Sequence, residues 1–250
     1  MPRNVVAITG GASGIGLACA TACLARGWQV AVCDRDIRAL AAAETTLGDR
    51  ATYAAVDVTD EAAVEAWIEA AAGRGRLVGC VTSAGRGADV PALQTGVDLF
   101  RALYEVNVVG TFLAAREAAR IMQDTGGGSI VTIASVAGLR GSKGRVAYGS
   151  SKAAVINMSQ ALAVDLAHKG IRVNAVCPGP VETRMVAEIH DAATREHWVR
   201  HVPLRRYGTV DEIASLVAFL LDDSQSGFIT GQAIAADGGF AGAGLTSLEA

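Results

Sequence analysis

Short apolar runs alternate with longer segments of helical period along nearly the whole chain, and that alternation restricts it to repeated strand–helix–strand units. The runs read as strands are Val5 to Thr9, Gln29 to Cys33, Thr52 to Val56, Leu77 to Thr82, Ser129 to Ala134, Arg172 to Cys177 and Gln232 to Ala236. Helical spacing is read near Gly14 to Arg26, then over Ile37 to Leu47, Glu61 to Ala72, Val97 to Met122, Ala147 to His168 and Val210 to Leu221. The strands are continuous in Val, Ile and Ala, the pattern of a sheet covered on both faces, and such sheets are parallel. The expectation is an α/β fold, a doubly wound parallel sheet of about seven strands flanked by helices. Residues 1–250 form one domain, because no repeat, low-complexity tract or linker divides them; Gly126-Gly127-Gly128 reads as a turn.

With 250 residues, 51% of them hydrophobic and 19% charged, the chain can bury one substantial core and is not disordered. No apolar run reaches the roughly 18 to 20 residues of a membrane span. Met1 to Val6 runs straight into the first strand without a signal-peptide series, so the expectation is a cytoplasmic protein. The five cysteines, Cys19, Cys23, Cys33, Cys80 and Cys177, form no Cys-x-x-Cys pair and read as small buried apolar residues. A net charge of −3 without a basic stripe argues against nucleic acid as a partner.

Directly after the first strand comes Thr9-Gly10-Gly11-Ala12-Ser13-Gly14-Ile15-Gly16, followed by the helical Leu17-Ala18-Cys19-Ala20. Glycines let a pyrophosphate approach the backbone, and the helix that follows offers free N–H groups and the positive end of its dipole. The second strand ends at Asp34, about 20 residues on, where a carboxylate can accept both ribose hydroxyl hydrogens of NAD and would repel a 2′-phosphate. Arg35 could pair with that phosphate, so NAD is expected over NADP with the alternative open. Asp34 could equally cap the helix beginning near Asp36. Asp57 and Val58, just past the third strand, would flank the adenine.

The fifth strand delivers Ser135 at its carboxyl end, the edge at which doubly wound sheets bind ligands. Thirteen residues later stands Tyr148-Gly149-Ser150-Ser151-Lys152, which on a helix puts Tyr148 and Lys152 on one face. A fixed ammonium near a phenol favours the phenolate, so Lys152 is expected to draw the Tyr148 pKa down from about 10 toward the working range. Tyr148 could then exchange a proton with an alcohol oxygen while the Ser135 hydroxyl bonds the same oxygen. Taken alone, Tyr-x-x-x-Lys usually marks no more than a surface helix.

With these motifs in order, the chain resembles the short-chain dehydrogenase/reductase family in its compact branch, over nearly its whole length. Thr9-Gly-x-x-x-Gly14-x-Gly16 is similar to the family's cofactor turn, Ser135 to its serine and Tyr148-x-x-x-Lys152 to its catalytic pair. Asn107 in Val106-Asn107-Val108-Val109-Gly110 is similar to its fourth member. The resemblance implies that Asn107 helps hold a helix distortion and a water leading from Lys152 to solvent; from the residues alone it is a polar side chain on an apolar helix. It also implies that Lys152 reaches the nicotinamide ribose and that Pro178-Gly179, with Val181 and Thr183, meets the nicotinamide carboxamide. Where the family has Asn-Asn-Ala-Gly, this chain has Thr82-Ser83-Ala84-Gly85. Ala84 and Gly85 still admit the cofactor, but the asparagine bonds must be replaced, which puts local sheet stability in question.

The implied function is an NAD(H)-dependent oxidoreductase of the Rossmann type that interconverts a secondary alcohol and a ketone, a small-molecule substrate, with no metal. A dinucleotide-binding regulatory or scaffolding protein is the alternative. The larger epimerase branch is disfavoured by the short region after Asp237-Gly238-Gly239, and an enoyl reductase by the Tyr-to-Lys spacing of four. Residues 182–203, polar and carrying His190, His197, Trp198 and His201, read as a substrate lid. His197 and His201 stand four apart, without a third ligand placed beside them. Arg140, Lys143 and Arg145 leave an acidic substrate open, as they do solvated loop charges. The helix from Ala147 is apolar on more than one face, and together with the resemblance this suggests a homodimer or homotetramer.

Overall fold

Successive residues of a strand face opposite sides, and in the inner strands here both sides are apolar. In β1 (Asn4–Thr9), Val6 and Ile8 join one core cluster while Val5 and Ala7 join another. β2 (Gln29–Asp34) repeats the division, with Val30 and Val32 on the first side and Ala31 and Cys33 on the second. Such strands are stable only between two layers of helices. The structure, a computed structural model, describes residues 3–183, 186–187 and 190–242. Parts of the expected lid, 184–185 and 188–189, lie outside the described residues, as do 1–2 and 243–250.

The remaining strands are β3 (Ala51–Ala55), β4 (Arg76–Thr82), β5 (Gly128–Ile133), β6 (Ile171–Pro178) and β7 (Ala233–Ala236). All seven pair in parallel in the order β3-β2-β1-β4-β5-β6-β7. The helices are α1 (Gly14–Ala25), α2 (Ile37–Leu47), α3 (Glu61–Ala72), α4 (Val97–Tyr104), α5 (Gly110–Met122), α6 (Val136–Leu139), α7 (Val146–Leu166), α8 (Ala192–His201), α9 (Val210–Leu221) and α10 (Asp223–Ser226). Leu40 and Leu47 of α2, Cys19 and Cys23 of α1 and Ile213 and Val217 of α9 cover the first face. Val64 and Ile68 of α3, Leu113 and Met122 of α5 and Ala163 of α7 cover the second.

The strands and most helices match the sequence expectation within a residue or two. The predicted helix Val97 to Met122 is instead two helices joined by a π turn, Glu105–Val109. The polar segment expected as a lid contains α8.

The sheet order places a reversal between β1 and β4: the chain winds outward through β2 and β3, then returns to wind outward through β5, β6 and β7. Connections diverge there above the carboxyl ends of the strands, opening a crevice. Among the described residues no helix is long and apolar enough to cross a membrane.

Candidate active site

The crevice is a cleft of about 320 Å³, within the range of small-molecule and cofactor sites. Its floor is the turn from β1 into α1. Gly10 has φ +60°, and a Cβ there would stand 2.7 Å from Ala84 Cα. Gly14 has φ +51°, but a Cβ on it would meet only the Thr183 side chain, no nearer than 3.8 Å, so it would project into the open cleft. Ser13 precedes α1 in extended conformation without a side-chain cap, which leaves the first N–H groups of the helix open to an anion. This cradle fits a pyrophosphate. Gly16 does not line the cleft; a Cβ there would lie 2.2 Å from Gly10 O, so it serves the packing of α1 under the turn.

At the end of β2, Asp34 accepts one hydrogen bond from Asp36 N–H, at 3.1 Å. The cap of α2 is Asp36 itself, which accepts from the N–H groups of Arg38 and Ala39. Asp34 is therefore not the capping residue, and it faces the cleft beside Arg35, Asp57 and Val58. Two hydrogen bonds from Thr59, and then the positive charge of Arg35, hold the Asp57 carboxyl below its ordinary range. Val58 is fixed from behind by α5, since a Cβ on Gly110 would stand 2.6 Å from Val58 Cγ2.

Beyond β4, Thr9 holds the segment Ser83-Ala84: its backbone oxygen accepts from Ser83 N–H and its Oγ1 accepts from Ala84 N–H, at 3.1 Å. Thr82 is left without such a bond. Its hydroxyl is the one buried side-chain oxygen or nitrogen without a hydrogen-bond partner among the described residues, a loss of about 1–3 kcal/mol. Ala84 and Gly85 line the cleft, and a Cβ on Gly85 would lie 3.3 Å from Asn107 Oδ1 and 3.5 Å from Lys152 Nζ.

Asn107 sits in the π turn, fully buried and behind the cleft wall. Its Oδ1 accepts from Arg86 N–H at 2.8 Å, and its Nδ2 donates to Arg86 O and to Ser151 Oγ, both at 3.0 Å. Its side chain thus clamps the strand-end loop to α7. Ser135 caps α6, its Oγ accepting from Ala137 N–H at 3.1 Å, which leaves its O–H proton for another acceptor. The Ser135 side chain also hydrogen-bonds the Tyr148 phenol. Lys152 Nζ donates to Ile133 O at 2.8 Å and lies 6.0 Å from the Tyr148 ring centroid. Pro178 ends β6 and Gly179 follows it, with Val181 and Thr183 beyond them on the same wall. Of the residues predicted from sequence, all but Gly16 and Asn107 line this one cleft.

The electrostatics differ from the sequence expectation. Burial raises the Tyr148 phenol above 10; the Ser135 hydrogen bond and the Arg145 charge oppose the rise, and Asp89 adds to it. Burial brings Lys152 down to about 8, so the ammonium is itself disfavoured here. Arg145, read from sequence as open to an acidic substrate or to solvent, lies with Cζ 5.1 Å from the Tyr148 centroid, nearer than Lys152 Nζ. It is ion-paired to Asp89. Arg140 donates to the backbone oxygens of Phe240 and Ala241. Sequence reasoning missed both arrangements; three-residue spacing from Tyr148 is the only local signal for Arg145.

The segment expected as a lid is tied by Arg195, bidentate to Glu182 at 2.8 and 2.7 Å and stacked over Tyr207. His190 bonds Tyr207 Oη through Nδ1 at 2.9 Å, and its ring stacks on Trp198, which packs against Phe240. His197 and His201 lie close together on α8, with His201 Nδ1 bonded to His197 O at 2.7 Å.

A family model described as enoyl-(acyl carrier protein) reductase matches residues 10–241. The chain is 39% identical over 248 residues to 2-(S)-hydroxypropyl-CoM dehydrogenase 3 of Xanthobacter autotrophicus, covering 96% of this chain and 97% of that protein. A short-chain type dehydrogenase/reductase from Mycobacterium ulcerans superposes with TM-score 0.90 at 35% identity, over 96% of this chain and 90% of that one. So does 7α-hydroxysteroid dehydrogenase, solved with NADH and 7-oxo glycochenodeoxycholic acid, with TM-score 0.90 at 30% identity over 94% and 93%.

Proposed function

The chain belongs to the short-chain dehydrogenase/reductase family, and from that premise we propose that it interconverts a secondary alcohol and a ketone with NAD(H), using Tyr148 as general acid and base. The observation that carries the reading is that Ser135, Tyr148 and Lys152 line the same cleft as the Gly14 cradle and Asp34. When bound, the dinucleotide supplies the hydride acceptor or donor.

The chain's own groups do the rest. Gly10, Ser13, Gly14 and Ile15 bind the pyrophosphate, and Asp34 selects NAD by accepting from the ribose hydroxyls, with Arg35, Asp57 and Val58 around the adenosine. Ala84, Gly85, Pro178, Gly179, Val181 and Thr183 bound the nicotinamide half, and Lys152 holds its ribose. The Ser135 O–H, which a substrate oxygen would draw from the Tyr148 phenol, fixes that oxygen beside Tyr148. In oxidation the phenolate accepts the hydroxyl proton; in reduction the phenol returns it. Asn107 keeps the loop and α7 in register and Lys152 passes the proton toward solvent. Carbonyl chemistry is favoured over reduction of an enoyl bond by the four-residue spacing of Tyr148 and Lys152. Residues 182–203, braced by Arg195 and Glu182, act as the lid over a small-molecule substrate. A cytoplasmic homodimer or homotetramer, without nucleic-acid or membrane partners, completes the proposal.

A panel of secondary alcohols and hydroxy acids assayed with NAD and NADP, followed by the absorbance of the reduced nicotinamide, tests it. Tyr148→Phe lowers turnover by roughly two to four orders of magnitude while NADH affinity stays nearly unchanged. Lys152→Ala damages both. NADH binding without turnover of any alcohol or ketone, and no change on Tyr148→Phe, would restore the regulatory alternative.

A further inference from the structure

We propose that Arg145 is a positioning residue for the alcohol–ketone step, a second fixed cation that favours the phenolate of Tyr148 and is itself steered by Asp89. The proposal rests on the assignment of Tyr148 as acid and base. Arg145 immediately precedes α7, and its side chain makes no helix cap. It turns instead onto the ring three residues ahead, its guanidinium carbon 5.1 Å from the centroid. Two contacts to Asp89 hold the guanidinium there, and Nη2, one of the two donors to Asp89, also stands 3.4 Å from His190 Nε2. Val90 N–H bonds Gly144 O at 2.9 Å, so the loop that carries Asp89 is fastened to the turn that carries Arg145. The Arg145 side chain is 14% exposed, and a charge so placed is weakly screened by water.

A guanidinium keeps its charge throughout the working pH range, whereas an amine can lose it on burial. Lys152 is such an amine, titrating near 8. Above that pH Arg145 is the cation left against the phenol, in the range where alcohol oxidation needs a phenolate. Facing Tyr148 and Arg145 are Lys152 from α7, the neutral Ser135 hydroxyl from the end of β5, Asp89 from the loop after β4, and His190 from the segment before α8, itself beside Arg195 and Asp191. Cys177 on β6 faces Lys152, and Asp237 beyond β7 faces Cys177. Of these, Asp89 is the anion nearest the pair, and it opposes Arg145 on the phenol while holding the guanidinium over it.

The test compares Arg145→Gln and Arg145→Lys in two readouts: the pH profile of kcat/KM for oxidation of an active alcohol with NAD, and the tyrosinate absorbance titration of the cofactor-free protein taken as a difference against Tyr148→Phe. Arg145→Gln is expected to move both midpoints up by about one pH unit, a tenfold loss on the acid limb, with NADH affinity retained. Arg145→Lys, which keeps the charge, stays within a few tenths of a unit of the unaltered protein. Profiles of Arg145→Gln that superimpose on the unaltered protein overturn the proposal, as does Arg145→Lys shifting as far as Arg145→Gln. If Tyr148→Phe loses activity and Arg145→Gln does not shift, Arg145 alone is excluded; if Tyr148→Phe turns over normally, the acid–base assignment falls and this proposal with it.

Discussion

Lys152 is only 5% exposed where it lines the cleft, and its pKa falls from 10.5 to about 8 through burial. Below pH 8 the amine is charged in both folded and unfolded chains, so the desolvation penalty on the native state is fully present. Between about 8 and 10.5 the folded protein releases a proton that the unfolded chain still binds, and stability rises with pH. Lys152→Met removes that penalty and the 2.8 Å bond to Ile133 O. The variant is expected to be more stable than the parent by roughly 2–3 kcal/mol at pH 7, and inactive. In chemical denaturation at a series of pH values the difference should close as pH rises from 8 to 10.5; a gap independent of pH would assign it to packing rather than charge.

The π turn Glu105–Val109 exists to place one side chain. In it Gly110 N–H bonds back five residues to Glu105 O, and the widened turn carries Asn107, whose three hydrogen bonds join Arg86 to Ser151. Asn107→Ala would orphan the Arg86 N–H and C=O together, at about 2–4 kcal/mol. It is expected to lower the urea midpoint with an unchanged slope and to weaken NADH binding through the loosened Ala84-Gly85 loop; a stable, tightly binding variant would refute the clamp. None of this was visible as periodicity, because one extra residue in a turn hardly disturbs an apolar pattern spread over Val97 to Met122. α8 escaped for a different reason: it has no buried residues, so there is no apolar face for a helical period to mark. The strands were legible because both faces of each inner strand are buried. The glycine turn and the Tyr148–Lys152 pair were legible because short-range spacing combines with their places in the chain, the turn between β1 and α1 and the pair downstream of the strand-end Ser135. Arg145, Asp89 and the carbonyl partners of Arg140 are long-range pairings, which no local pattern encodes.

At the scale of the whole molecule, the helix layer formed by α4, α5 and α7 is finished on its inner side and unfinished on its outer one. Inside, Leu113, Met122 and Ala163 are buried against the sheet. Outside, Val97 is 63%, Phe112 37% and Val164 79% exposed, with Arg116 stacked over Phe112. Glu117 is buried in the same layer, held by Arg116 and Arg120, so this surface combines apolar side chains with charges already neutralised in place. Covering such a face gains roughly 25 cal/mol for each Å² of apolar area removed from water, without stripping solvent from an unpaired ion. A second copy of the chain is the occupant that the proposed homodimer or homotetramer supplies. Sedimentation equilibrium at micromolar concentration is expected to give a multiple of the chain mass, and Phe112→Arg combined with Val164→Arg to reduce it toward smaller species, with the thermal transition of the fold retained. An unaltered protein that sediments as a single chain would show that the face is exposed in its working state.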